Sequence, residues 1–213
     1  MIGDVIVLKE RHIETGKNVY EMLTEHFDIS GKFTVGIGGE SGSGKSVTAF
    51  ALQKILSEHG ISSVVLQMDD YFNLPPRSNH ENRLLSFDNV GTHEVNLALL
   101  SDNVYNFKAG VDSFVKPLVN YQANLISSEV VPVKDIRVLI VEGTYILENE
   151  KDFDFKIFID RNYKETYMNR MERNRDENSG FIELVLDIEH KIIKQYKCKA
   201  DLILGKNYQL IIP

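Results

Sequence analysis

The sequence predicts an α/β domain built on a doubly wound parallel sheet. Three observations predict it. Short apolar, β-branched runs alternate along the chain with stretches of helical periodicity. One of these runs, Phe33-Thr34-Val35-Gly36-Ile37, leads through a glycine-rich turn straight into a helix. Two others end in carboxylates, at Asp69-Asp70 and at Glu142, where the strands of such a sheet open onto a ligand crevice.

The chain has 213 residues, enough for one domain over 1–213 with a small insertion. Its net charge is 24 − 31 = −7. That balance argues against broad binding to nucleic acid or an anionic membrane. The one cysteine, Cys198, cannot close an intrachain disulfide, and it reads as a small buried hydrophobe. There is no Cys/His metal set, no signal peptide and no apolar run of about 20 residues, so the cytoplasm is the expected compartment.

Residues 1–30 read as an N-terminal helical extension, with Ile13, Tyr20, Leu23 and Phe27 on its packing face. The strand from Phe33 then meets Gly39-Glu40-Ser41-Gly42-Ser43-Gly44-Lys45-Ser46, a full G-x-x-x-x-G-K-[ST] phosphate loop. A polyphosphate needs many donors close by and no side chains in the way. Gly39, Gly42 and Gly44 let the backbone N–H groups curl into an anion nest. The nest runs through Ser41 and Ser43 to Val47, where the helix aims its positive end at the phosphates. Lys45 is placed for the β- and γ-phosphates, and the Ser46 hydroxyl for Mg²⁺. The expected fold is therefore of the P-loop NTPase kind, with a triphosphate and Mg²⁺ as its ligands.

Ser62 to Met68 reads as the next strand; either Asp69 or Asp70 could take a proton from a hydroxyl or help hold Mg²⁺. Residues 73–92 read as a long loop, and His93 to Phe107 as a helix. Residues 113–132 read as a projecting β-hairpin that could cover a substrate. Arg137 to Gly143 is the clearest central strand, and Glu142 stands where a Walker B carboxylate grips Mg²⁺. Phe155 to Asp160 is a further strand. Tyr163 to Asp176 reads as a basic helix within a lid segment at 161–180. Arg170 and Arg173 share a face there, either to clamp phosphates or as part of a solvated charged helix. Phe181, Leu184, Val185, Ile188 and Ile192 form a core-facing helical stripe, and 201–204 and 208–212 read as short strands.

The order of these blocks resembles the uridine kinase and phosphoribulokinase family of P-loop kinases, over roughly Lys32 to Leu204. The blocks are GGESGSGKS, LQMDDYF, FDNVGTHEVNLALL, PLVNYQANLI, VLIVEGTYIL, KIFIDRNYKETYMNRMERNRDENSG and KADLIL. The resemblance implies an ATP- and Mg²⁺-dependent transfer of a phosphoryl group to a hydroxyl of a small molecule. It implies that Lys45 and Ser46 bind phosphate and metal, Asp69 is the general base, Glu142 sits near the metal, and Arg170 and Arg173 clamp phosphates. A uridine kinase-like activity leads on this resemblance, with phosphoribulokinase-like or pantothenate kinase-like acceptors as alternatives. Three positions depart from the uridine kinase pattern. Val119 stands at the base-contacting Tyr, Asn124 at the base-contacting His, and Gly91 at the Asp that holds the ribose hydroxyls. Uridine is therefore expected to be a poor acceptor. The competing class is a nucleotide-binding switch without an acceptor. The chain has no N-K-x-D, and no D-x-x-G closing a strand after the loop, so a GTPase is not supported. Homo-oligomerisation stays open.

Overall fold

Every residue of β1 (Phe33–Gly39) is buried, because this strand runs through the middle of a six-stranded sheet. A computed structural model describes residues 1–2, 6–172 and 180–213. In chain order, α1 (Glu10–His26) precedes β1; α2 (Lys45–Glu58), β2 (Ser63–Gln67), α3 (Pro76–Leu85) and α4 (Leu97–Lys108) follow it. A hairpin comes next, β3 (Ser113–Asn120) and β4 (Leu125–Pro132), then β5 (Val138–Gly143) and β6 (Phe155–Ile159). The chain ends with α5 (Tyr167–Glu172), α6 (Gly180–Ile193), β7 (Leu202–Leu204) and β8 (Leu210–Ile211).

The sheet order is β2-β5-β1-β6-β7-β8, parallel except for β8. Both faces are covered, as an all-apolar parallel sheet requires. Val138 and Ile140 of β5 pack toward α1 and α2, with Val19, Leu23, Leu52 and Leu56. Leu139 and Val141 pack the other way, with Leu100, Val104 and Phe107 of α4. The doubly wound α/β reading is correct. Among the described residues, no helix is long and apolar enough to cross a membrane.

Several local readings are corrected. The 73–92 stretch is mostly ordered: α3 occupies 76–85, with 3₁₀ turns at Phe87–Asn89 and Thr92–Glu94. Pro76 starts α3 at a position where a missing N–H costs nothing. Only Asn79 of α3 is buried, so the helix has no apolar stripe to show. The next helix starts at Leu97 rather than His93, capped by Asn96 Oδ1, which accepts from the Leu99 N–H at 3.0 Å. The buried face of α1 is His12, Thr15, Gly16, Val19 and Leu23. It is rotated from the predicted one because Gly16 lies against Ala51 of α2, where a Cβ would come within 2.9 Å of backbone. On α6, Leu184 is exposed and Glu189 is buried in the stripe instead. Cys198 is exposed rather than buried.

Candidate active site

β1 ends at the phosphate loop, and α2 begins at Lys45. The loop closes on itself through the Ser43 N–H, which donates to Glu40 O at 3.1 Å. Lys45 Nζ curls back to the same carbonyl at 2.9 Å. Gly42 is left-handed at φ +72°, and a Cβ there would meet Arg170 Cγ at 2.8 Å and Thr166 at 3.2 Å. The absent side chain is what lets the base of the lid segment sit on the loop. Val47 is half-buried on the first turn of α2, which carries no acidic residue. The positive end of the helix is therefore uncompensated, and with Lys45 it fits a polyphosphate.

β5 lies beside β1 with Ile37 opposite Glu142, and beside β2 with Gln67 opposite Glu142. That register carries the Glu142 carboxylate to the first turn of α2. Ser46 Oγ donates to Glu142 Oε1 at 2.8 Å, and Gln67 Nε2 donates to the same oxygen at 3.3 Å. Burial pushes the Glu142 carboxyl above the usual glutamate range; the Lys45 charge opposes the shift and the Asp69 charge adds to it. The donors gathered here are all oxygens: a hydroxyl, a buried carboxylate and the nearby Asp69. Such a hard set suits Mg²⁺.

The Asp pair after β2 divides sharply. Asp70 is 1% exposed and fully engaged. It accepts from Lys116 Nζ at 2.7 Å, from the Val119 N–H at 2.9 Å and from the Met1 ammonium at 3.1 Å. It ties the hairpin to the sheet. Asp69 is exposed at the crevice, beside Glu142.

Arg170 is buried on α5, close over the loop. Its Nη1 donates to Thr166 Oγ1 at 3.1 Å and to the Tyr163 carbonyl. Thr166 Oγ1 in turn donates to Ser41 O at 2.8 Å. Arg173 lies outside the described residues, so the predicted pairing of the two arginines is seen from one side.

Sequence reasoning missed the residues that join these pieces. Glu40, inside the loop, is 6% exposed. Its Oε2 accepts the Tyr163 N–H at 2.7 Å, and its Oε1 lies 2.6 Å from His190 Nδ1 on α6. One carboxylate thus holds both sides of the lid segment to the phosphate loop. The only signal in the sequence is an acidic residue where a phosphate loop has no need of one. A second group brings Arg83, Glu94 and Glu189 together, up to 106 residues apart, a meeting that their spacing does not predict.

The three departures have structural settings. Val119 is 1% exposed in the hairpin. Asn124 sits at the hairpin turn with φ +53°, and its Oδ1 accepts the Arg77 N–H at 2.8 Å, docking the hairpin on α3. The Gly91 N–H donates to Glu94 Oε2 at 2.8 Å.

Comparison with known proteins gives a consistent picture. The model of the phosphoribulokinase / uridine kinase family matches residues 34–198. A bifunctional α-galactosidase/sucrose kinase of Mediterraneibacter gnavus is 29% identical over 91% of this chain, which spans 22% of that protein. A uridine kinase of Leuconostoc citreum is 28% identical over 84% of this chain and 89% of its own length. A solved structure of a possible uridine kinase from Bacillus stearothermophilus superposes with a TM-score of 0.67 at 20% identity, covering 89% of this chain and 97% of that one.

Proposed function

The chain belongs to the phosphoribulokinase/uridine kinase family of P-loop kinases, and we propose that it moves the γ-phosphoryl group of ATP to a hydroxyl of a small molecule other than uridine. The observation that carries this reading is a convergence at one sheet edge. Lys45 follows β1, Asp69 follows β2, and Glu142 ends β5, bonded to Ser46.

Each residue has a task in such a transfer. Asp69 takes the acceptor hydroxyl proton as the oxygen attacks the γ-phosphorus, and ADP departs with the bridging oxygen. Lys45 and the N-terminus of α2 stabilise the charge on the transferring group. Arg170, released from its carbonyl partner, supplies a further cation from the lid. Ser46 and Glu142 are the residues that would hold Mg²⁺, which neutralises phosphate charge when bound. Asp70 orients the hairpin and takes no part in the proton transfer.

The acceptor reading rests on the three departures. Val119 is packed inside the hairpin, and the Asn124 side chain is committed to α3, so neither is available to read a nucleobase. Relatives named for uridine and for sucrose both align with most of this chain, so the family context admits a sugar acceptor as readily as a nucleoside.

The test is ADP release followed with and without acceptors, drawn from nucleosides, sugars, sugar phosphates and pantothenate. ADP release that depends on one hydroxyl compound, with uridine a weak substrate, is the expected result. Release that is equal with and without every acceptor would favour a nucleotide-binding switch instead.

A further inference from the structure

Glu40 stands inside the phosphate loop, where a negative charge works against the binding of a polyphosphate. Its side chain is nevertheless buried, and each carboxylate oxygen has a partner. Oε2 accepts the Tyr163 N–H at 2.7 Å, and Oε1 lies 2.6 Å from His190 Nδ1. The two partners also meet each other, with the rings of Tyr163 and His190 edge to face and their centroids 6.0 Å apart. Glu40, Tyr163 and His190 thus close a triangle between the phosphate loop, the segment ahead of α5, and α6.

The backbone of Glu40 serves the loop at the same time. Its carbonyl accepts from the Ser43 N–H at 3.1 Å and from Lys45 Nζ at 2.9 Å. One residue is therefore tied to the loop through its backbone and to the segment ahead of α5 through its side chain.

The Tyr163 end of that tie leads to Arg170. The Tyr163 N–H goes to Glu40, and the Tyr163 carbonyl accepts from Arg170 Nη1. The same Nη1 donates to Thr166 Oγ1 at 3.1 Å, and Thr166 Oγ1 donates to Ser41 O at 2.8 Å. The Arg170 stem lies on Gly42, its Cγ 2.8 Å from where a Gly42 Cβ would stand. Arg170 is seated on Ser41 and Gly42 from one side, and on Glu40 through Tyr163 from the other. An arginine has a long, flexible stem, and its head meets a phosphate in a defined geometry only when that stem is held.

We propose that Glu40, braced by His190, is a positioning residue: through Tyr163 it sets the place of Arg170 over the loop, and with it the preference for a triphosphate over a diphosphate. The inference rests on the kinase reading above and adds to it the residue that aims the arginine. Reach matters here and charge does not, because an oxygen of residue 40 must span the gap to the Tyr163 N–H.

The experiment uses the full chain with Mg²⁺ and two probes, ADP and the non-hydrolysable ATP analogue adenylyl imidodiphosphate, each titrated by calorimetry. The readout is the ratio of the two dissociation constants, which a loss of stability common to both does not move. Arg170→Ala should lower the preference for the triphosphate analogue about tenfold or more, as expected for one charge-assisted contact. Glu40→Asp keeps the charge and shortens the reach; it should lower the preference roughly threefold or more through its coupling to Arg170. Glu40→Gln keeps the reach without the charge, and its amide still offers an acceptor oxygen, so the preference should stay within about twofold of the wild type. In the Arg170→Ala background neither Glu40 substitution should change the ratio further. A wild-type ratio in Arg170→Ala or Glu40→Asp, a Gln variant as impaired as the Asp variant or more so, or effects of Glu40→Asp that persist in full without Arg170 would each overturn the inference and leave the kinase reading standing. Binding of neither nucleotide to the wild-type chain would bring down both.

Discussion

Ser46 Oγ on α2 and Glu142 Oε1 on β5 are joined across 2.8 Å, 96 residues apart in sequence. The bond fixes a hydroxyl and a carboxylate side by side at the mouth of the phosphate loop. Burial works against the Glu142 charge, so a bound cation gives that carboxylate the partner it needs. Glu142→Gln should raise the Mg²⁺ concentration for half-maximal turnover by about 10- to 100-fold. It should leave the thermal stability unchanged or higher, since a buried charge is removed. A Mg²⁺ titration and a melting curve on the same variant check both.

Lys45 is half-buried on the loop and makes no core contact. Lys45→Ala should keep the fold and lower turnover by about 10²- to 10³-fold, the usual loss for one donor to a developing charge. Circular dichroism with steady-state kinetics measures the two effects; near-normal turnover would remove the phosphate-loop assignment.

Asp69 and Asp70 should separate cleanly under the same substitution. Asp69→Asn should lower kcat strongly, with little change in melting temperature or ATP affinity. Asp70→Asn breaks a buried ion pair with Lys116 and should cost on the order of 3 kcal/mol of stability. Denaturant unfolding beside kinetics tells them apart; a larger kcat loss in stably folded Asp70→Asn would exchange their roles.

Glu40 should govern how the lid segment sits. Glu40→Ala removes the acceptor of the Tyr163 N–H and the partner of His190. Amide exchange over residues 161–170 should then quicken in the free protein while the central strands stay protected. Unchanged exchange would mean that the bonds of Thr166 to Ser41 and of Arg161 to Ser43 suffice alone.

His12 should make stability depend on pH. Burial lowers its pKa, and the charges of Arg11, Lys9 and Arg161 lower it further. The unfolded chain then takes up a proton near pH 6.5 while the folded chain resists it. Stability contributed by neutral His12 is complete above that pH and is lost as pH falls below it. The ring Nδ1 also accepts the Lys9 N–H at 3.1 Å, closing the start of α1. His12→Gln keeps an acceptor there and should flatten the decline between about pH 7 and 5. Urea midpoints across that range provide the measurement.

The sheet and the phosphate machinery were legible because their signals are local. Apolar runs, glycine spacing and carboxylates at strand ends each lie within a few residues of one another. α3 was not legible, because a helix that buries only Asn79 has no periodic stripe. The cluster of Arg83, Glu94 and Glu189 was not legible for another reason. Its meaning lies in a contact between α3 and α6, and nothing in the spacing of 83, 94 and 189 announces that meeting. Glu40 stood in plain view inside a recognised motif, yet its task depends on Tyr163 and His190, far along the chain.

The sheet holds Lys45, Ser46, Asp69 and Glu142 at the ends of three adjacent strands, while the acceptor-side departures at Gly91, Val119 and Asn124 lie on a turn and on the hairpin, outside that sheet. The two halves therefore answer to different constraints. A slip of one residue between β1 and β5 would turn Glu142 to the opposite face, so the donor half tolerates almost no drift. The acceptor half, at that turn and hairpin, can be rewritten without disturbing the pairing of the six-stranded sheet. Descendants of one ancestral kinase can in this way inherit a fixed engine and diverge in diet.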